Sequence, residues 1–471
     1  METMSGLDAK FLYSETPTAH MHTVKVAVSD TSAIEGGFSF DTLSEVMGQL
    51  LVRLPPFRRR VVPVPLGLGH PVWVEDPDFD LARHLDRVVL EPPGDDRALA
   101  ATIADFAGTA LPRDRPLWAI RVVEGLRDDR VAVVVKLHHA VADGSAAVAL
   151  LRNVVEAATV APHPEPPADP WAPEPLPTRG RLVARALGEH VTRVKGLPHL
   201  ARSQATSARA SERRRRTFEP MPPIPLHHIP KTSLNVSLDA DRTFAMTRLP
   251  LSVLKGVRRS TGTTLNDVYL TVCAGALRAY LLERDELPRR SLVASVPVST
   301  DPDAARLSGN RVDNIYVAIG TDVADPLARL RAVHDGVRAA REVRSMLGHD
   351  LLEQRADVVP PQLYRPVVRL WSRSHAANVL HPPLNVILSN VAGPAEPIRF
   401  GPVALEALYS VGPILEGIGC NLTAWSYEDD LGVSVIGCAG SLADPWALVD
   451  HLHRALAELE RAVDVGVPAD R

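Results

Sequence analysis

The apolar positions of this chain switch repeatedly between two periods, and the switches mark its elements. Val131 to Leu137 is a Val-rich run expected to form a buried strand. From Ser145 to Ala158 the spacing turns helical, with Val148, Leu150, Leu151, Val154 and Val155 able to cover one face. Upstream, Thr23 to Ser29, Val72 to Val74, Val88 to Leu90 and Ala119 to Glu124 read as strands, and Phe40 to Val52 and Asp95 to Ala110 as helices. The mixture returns downstream. Leu234 to Val236, Arg242 to Leu249, Leu292 to Val298, Asn310 to Ile319 and Asn385 to Val391 are strand-like. Leu251 to Ser260, a long helix running through Leu282, and Asp325 to Arg344 are helical. Leu405 to Val411, Asn421 to Tyr427 and Leu431 to Gly437 are expected as strands of an open-faced sheet. Asp444-Pro445 starts a last helix through Val463, proline being favoured at the first helical position.

Between the two mixed α/β halves the pattern breaks. Pro162 to Pro177 holds eight prolines in sixteen residues, which bars helix and sheet interior and implies an extended linker. The expected organisation is a domain over 1–160, a Pro-rich then basic crossover over 161–231, and a domain over 232–471. The crossover's second part, 179–216, carries eleven Lys/Arg against two Glu, a local charge of +9 that leaves −13 for the rest. An apolar stripe (Leu182, Val183, Ala186, Leu187, Val191, Val194, Leu197) runs through it. Two readings stand: a solvated crossing helix and loop, or a surface segment attracted to anionic lipid heads.

Size and composition add limits. A chain of 471 residues supports two domains with full cores, and 45% hydrophobic with 23% charged residues is ordinary for a globular protein. The net charge of −4 gives no reason to expect a nucleic acid partner. Cys273, Cys420 and Cys438 are far apart, form no metal spacing and suit a reducing cytoplasm. The N-terminus lacks a basic region followed by an apolar core, and no window of about 18 apolar residues occurs, so any membrane contact is expected to be peripheral.

The candidate chemistry lies where the Val131 to Leu137 strand ends. His138 and His139 are adjacent there, and Asp143-Gly144 follows. Neutral imidazole, with a reference pKa of about 6.5, can take a proton from an alcohol or thiol. Strand neighbours point to opposite faces, so one histidine is expected to face a cleft. Asp143 could pair with an Arg and hold the turn, or touch an imidazole; Gly144 could supply a backbone conformation closed to other residues. Three plainer readings compete: structural histidines, a metal held with Asp143, and a binding protein with an idle site. No further ligand cluster supports the metal.

His138-His139-Ala140-Val141-Ala142-Asp143-Gly144 resembles the HHxxxDG motif of the CoA-dependent acyltransferase superfamily. Leu7 to Leu12 with Met21-His22, Pro116-Leu117-Trp118, Asn266-Asp267, Pro297-Val298-Ser299, Gly309-Asn310 and Ser389 to Pro394 extend the likeness over the chain. Together they make it similar to the bacterial wax ester synthase/diacylglycerol acyltransferase family. Ala392, Pro112 and Ser299-Thr300-Asp301 depart from that family's pattern and leave substrate preference open.

The resemblance implies two chloramphenicol-acetyltransferase-like mixed-sheet α/β domains with a tunnel between them. It implies acyl transfer from a long-chain acyl-CoA, a co-substrate rather than a resident cofactor, to diacylglycerol, with no covalent intermediate and no metal. His139 would be the general base, His138 would shape the site and Asp143 would orient the loop. Asn266 would stabilise the oxyanion or, with Asp267, cap its helix. Gly144, Trp118 and Asp267 would support the site, and Ser389, Asn390 and Gly393 would bind substrate. A fatty alcohol acceptor, giving a wax ester, and an idle lipid-binding or lipid-droplet protein are the alternatives. The expected location is the cytoplasm, peripherally on the inner membrane face or on droplets.

Overall fold

The computed structural model describes residues 1–35, 37–51, 54–160, 173, 175–300, 306–347, 361–394, 396–400 and 403–466. The first part of the chain forms β1 (Glu2–Thr3), α1 (Gly6–Tyr13), β2 (His22–Asp30), α2 (Phe40–Leu51), β3 (Arg59–Val62), β4 (Val72–Glu75), β5 (Leu85–Val89), α3 (Asp96–Gly108), β6 (Trp118–Glu124), β7 (Arg130–His138) and α4 (Gly144–Val160). A 37-residue helix, α5 (Arg179–Arg215), carries the crossover. Then follow β8 (Arg242–Pro250), α6 (Leu251–Thr261), α7 (Leu265–Leu282), β9 (Val293–Ser299), β10 (Val312–Ala318), α8 (Pro326–Ser345), α9 (Pro361–Arg373), β11 (Val386–Val391), β12 (Arg399–Phe400), β13 (Val403–Val411), β14 (Cys420–Tyr427), β15 (Asp430–Cys438) and α10 (Pro445–Gly466).

Two mixed six-stranded sheets result. The first runs β12-β13-β2-β7-β6-β5 and the second β10-β9-β11-β14-β15-β8, with a small sheet β1-β4-β3 beside the first. In the first sheet only the β5–β6 pair is parallel; in the second, β11 runs parallel to both β9 and β14. The core of the second half forms around α7, whose residues Asp267 to Leu277 are all buried. That helix is apolar around most of its circumference, which demands burial on every side. A Cβ on Gly275 would lie 2.9 Å from that of Ala455, so glycine lets α10 approach.

Several expectations change. The half beginning at 232 is not self-contained: β12 and β13 cross back and extend the first sheet, with Val411 opposite Val24. The sheet expected to be open-faced is covered, and β14 and β15 are buried along nearly their whole length. Leu234 to Val236 is a turn rather than a strand. Its Asn235 is fully buried and donates to the carbonyls of Leu384, Asn385 and Gly417. Most of the Pro-rich linker lies outside the described residues, as do Val52, Asp301 and the side chains of Val155, Val191, Val194 and Leu197.

Candidate active site

Strand β7 delivers both histidines, and the sheet determines what each does. The His138 amide donates to Leu117 O and that of His139 to Met21 O, so pairing to both neighbouring strands continues to the strand's end. The two rings therefore leave opposite faces.

His138 is fully buried. Its Nδ1 accepts the Ala140 amide at 3.0 Å, so the proton sits on Nε2, which donates to Glu15 Oε1 at 2.9 Å. Glu15 also pairs with Arg113. Both ring nitrogens are committed. Burial holds the ring well below the ordinary histidine pKa, and the nearby Arg113 pushes the same way.

His139 is half-buried and differently wired. Its Nδ1 lies 2.8 Å from Asn310 Oδ1. The Asn310 amide nitrogen is already donating, to Asp8 Oδ1 at 2.7 Å and to His139 O at 2.8 Å, so its oxygen can only accept. His139 Nδ1 therefore carries the proton, and Nε2 presents a lone pair without a hydrogen-bond partner among the described residues. Phe11 of α1 stacks on the ring at 4.0 Å and 8°. Burial lowers the His139 pKa, with Lys25 acting in the same direction and Asp143 opposing. The carboxyl at the far end of the relay, Asp8, is pushed up to about 6 by burial.

On the His139 side of the sheet lies an apolar chamber of about 740 Å³. Val131, Val133, Val135 and Leu137, the alternate residues leading to His139, form one wall, α2 and α4 supply others, and Leu405 and Trp425 close it from the second half. One cation enters it: Lys25 donates to Ser410 Oγ at 2.6 Å and lies over the Trp425 ring, burial pushing its pKa down to about 8. A second cavity of about 1120 Å³ opens beside β9 and the start of α7, with Asn266, Ser299, Asn390, Arg258, Arg311 and Arg341 among its lining residues. Among the described residues no group of three or more His, Cys, Asp or Glu could hold a metal ion.

The other expected residues fall as follows. Asp143 does not touch an imidazole in any hydrogen bond of the described residues. Its Oδ2 pairs with Arg306 at 2.7 Å and accepts the Arg311 amide, while Oδ1 accepts the Ala146 amide at the start of α4. It thus clamps the motif to the chain entering β10. Gly144 is not needed for a left-handed backbone, since it has no positive φ; a Cβ there would lie 3.1 Å from Val391 Cγ2 of β11. Trp118, buried, donates from Nε1 to Phe57 O and stacks on His84. The capping role foreseen for Asn266 with Asp267 belongs to Thr264 and Asp267, which form a capping box. Asn266 instead has a buried amide nitrogen with no partner among the described residues. Ser389 is half-buried opposite Thr423, and Asn390 lines the second cavity. Gly393 is closely packed: a Cβ there would lie 2.1 Å from Ser426 O.

Sequence reading gave no site role to Asp8, Phe11, Glu15 or Asn310, although Asp8, Phe11 and Asn310 lie in segments that carry the family likeness. The signal for Asp8 was present: Ser5 caps α1 by accepting the Asp8 amide, the Ser-x-x-acidic pattern of a helix start. Asn310 follows Gly309, whose φ of 80° turns the chain toward the motif. The pairing across 171 residues leaves no local trace.

With this geometry, comparison with known proteins is decisive. Residues 4–269 match the wax ester synthase/diacylglycerol acyltransferase catalytic domain, and residues 308–460 the C-terminal domain of the same family. The chain belongs to the wax ester synthase/diacylglycerol acyltransferase family. It is an acyltransferase. A Mycobacterium tuberculosis H37Rv protein named "putative diacylglycerol O-acyltransferase" is 36% identical over 467 residues, covering 99% of this chain and 97% of that one. A second protein of that name from the same strain is 34% identical over 473 residues, covering 98% and 91%. The wax ester synthase/diacylglycerol acyltransferase structure from Marinobacter aquaeolei VT8 aligns with a TM-score of 0.67 at 26% identity, covering 98% of this chain and all of that one. The first condensation domain of the calcium-dependent antibiotic synthetase, at 16% identity and a TM-score of 0.60 over 98% of this chain and 96% of that one, shares the fold.

Proposed function

We propose that this acyltransferase moves a long-chain acyl group from acyl-CoA to the free hydroxyl of diacylglycerol, giving triacylglycerol. The observation that carries the reading is the fixed tautomer of His139. Its unpartnered Nε2 sits at the end of the β7 row that walls the apolar chamber. Nε2 takes the acceptor hydroxyl proton as the oxygen attacks the thioester carbonyl. The C–S bond then breaks, and the same proton passes from His139 to the departing CoA thiolate. General base catalysis of this kind contributes typically ~10²–10⁴-fold. Asp8 and Asn310 keep the proton on Nδ1 and stabilise the imidazolium that forms in between.

The unpartnered amide of Asn266 is the candidate donor to the oxyanion, a role in which one lost donor costs about 2.7–4 kcal/mol. The apolar chamber suits a long hydrocarbon chain, and the arginine-bearing cavity suits the phosphates of CoA. The acceptor is a lipid, so the protein works in peripheral contact with its source. No helix among the described residues is long and apolar enough to cross a membrane.

The test is a competition: palmitoyl-CoA supplied with diacylglycerol and hexadecanol together, wild type and His139→Ala in parallel. Triacylglycerol as main product, lost in the variant, is expected. Wax ester as main product would overturn the acceptor and keep the mechanism. A folded wild type that binds lipid and makes neither product would leave an idle binding protein.

A further inference from the structure

Half of the large apolar side chains exposed among the described residues lie on α9, the turn that follows it and the 221–226 segment. On α9, Val367 and Leu370 are 66% and 68% exposed, and just beyond it Val379 is 81% exposed. Leu226, 69% exposed, joins them from the end of the crossover: its amide donates to Pro383 O, and Lys231 of the same segment donates to Asn378 O. Exposed apolar side chains on neighbouring segments of this kind mark an interaction surface rather than ordinary solvent exposure.

The helix beneath the patch is held from the other side. Tyr364 Oη lies 3.1 Å from Ser14 Oγ, and Ser372 donates to Glu416 at 2.7 Å. Val367 and Leu370 are thus surplus to packing. Between the two faces run Arg365, Arg369 and Arg373, all exposed and spaced one turn apart. None of the three is paired with a carboxylate among the described residues, and no acidic residue occurs from Pro361 to Leu384 or from Pro220 to Lys231. Apolar residues flanked by unneutralised arginine are the signature of a helix lying in a lipid interface.

The basic helix α5, foreseen from the sequence as the lipid-attracted segment, fits less well. Its Arg185 is paired with Glu189, Arg214 with Glu342, and Arg215 and Arg216 with Glu212. Leu187 is the one large exposed apolar residue among its described side chains. Among its described side chains the charge is not joined to an exposed apolar face.

We propose that α9, with the 376–380 turn and the 221–226 segment, is the face by which the enzyme docks on a lipid surface bearing anionic headgroups. The inference rests on the reading that the acceptor is a lipid. It also explains the placement of the face, because α9 lies on α1, the helix whose Phe11 stacks on His139. Lipid leaving the surface there meets the α1 side of the site.

Flotation separates this proposal from the function it rests on. The full-length protein is mixed with vesicles of phosphatidylcholine, or of phosphatidylcholine and phosphatidylglycerol in equal parts. Turnover is measured separately with water-soluble hexanoyl-CoA and a short-chain alcohol. Expected is preferential binding to the anionic vesicles. Val367→Glu with Leu370→Glu lowers that binding at least about tenfold. Arg369→Gln with Arg373→Gln lowers the anionic preference by about fivefold per arginine. Turnover of soluble substrates is unchanged in both. Arg202→Gln with Arg209→Gln on α5 leaves binding intact. Wild type that turns over soluble substrates but does not float, or binding lost with the α5 pair and kept with the α9 pairs, overturns the surface and leaves the chemistry standing. So does dimerisation that depends on Val367 and Leu370 without vesicle binding. Flotation by an inactive wild type would sink the proposed reaction and keep the surface.

Discussion

The two adjacent histidines show how one strand gives identical side chains different work. His138 has both nitrogens bound and no exposure; His139 has one bound and one offered. His139→Ala is expected to lower kcat by about 10²–10⁴-fold, beyond the loss of stability from the Asn310 oxygen that it leaves without its donor. His138→Ala is expected to act first on stability: Glu15 and the Ala140 amide lose their partner, at a cost of about 1–3 kcal/mol visible in a denaturant midpoint. Equal loss of activity with unchanged midpoints in both would contradict the division. The pH profile follows from burial. A base whose pKa is lowered stays unprotonated at neutral pH, so kcat/KM should be level from pH 7 to 8 and fall only below the ordinary histidine value of about 6.5. A limb centred above that value would exclude His139 in this environment.

Asp8 carries the converse sign. Its pKa is raised to about 6, so between pH 4 and 6 the folded protein keeps a proton that the unfolded chain releases. Stability is therefore lost as pH rises through about 6. At pH 7 Asp8→Asn should stabilise by up to about 3 kcal/mol, while turnover falls because Asn310 loses its anionic partner. A destabilised Asp8→Asn would show that the carboxylate is needed for folding instead.

At the level of elements, what was legible in the sequence was what is local. The Val131 to Leu137 run, the α8 and α10 start signals and the Pro-Leu-Trp entry to β6 each carry their own period or cap. What was not legible depends on contacts between distant segments. Gly144 reads as a turn glycine because Asp-Gly usually is one; only with Val391 beside it does its real constraint, space, come into view. Asn266 reads as a cap because it opens a helix, and only the Thr264–Asp267 box frees it for the cavity. Helix α9 is hard to read as a helix because Pro366 lies inside it, and proline ordinarily breaks one. Gly393 offers the sharpest test at this scale. A Cβ would stand 2.1 Å from a backbone oxygen of β14, which cannot rotate away. Gly393→Ala should cost more than about 2 kcal/mol, like other overpacked sites. A neutral result would mean that the turn after β11 yields freely and that its place in the family likeness is not about packing.

The molecule as a whole is stitched by one strand. Strand β13 belongs to the first sheet, paired with β2 along Val24 to Asp30, yet the chain enters β14 of the second sheet at Cys420. Between them Glu416 accepts from Thr18, Ser372 and the Leu238 amide, tying three separate segments to the crossing point. The site uses the same stitch: Asp8 and His139 come from before the crossover and Asn310 from after it. Neither half should then have a stability of its own. Calorimetry and tryptophan emission are expected to report one coincident transition, although the chain is long enough for two domains. Fragment 1–231 is the stronger test. Without β13, the nine-residue β2 becomes a sheet edge with Val24, Val26 and Val28 on one face, a template for aggregation. Expressed alone it should be insoluble, and co-expressed with 232–471 it should be recovered as a complex. A soluble, cooperatively folded 1–231 would mean that β2 closes its own edge and that the crossing strand serves to align the two parts of the site rather than to complete the fold.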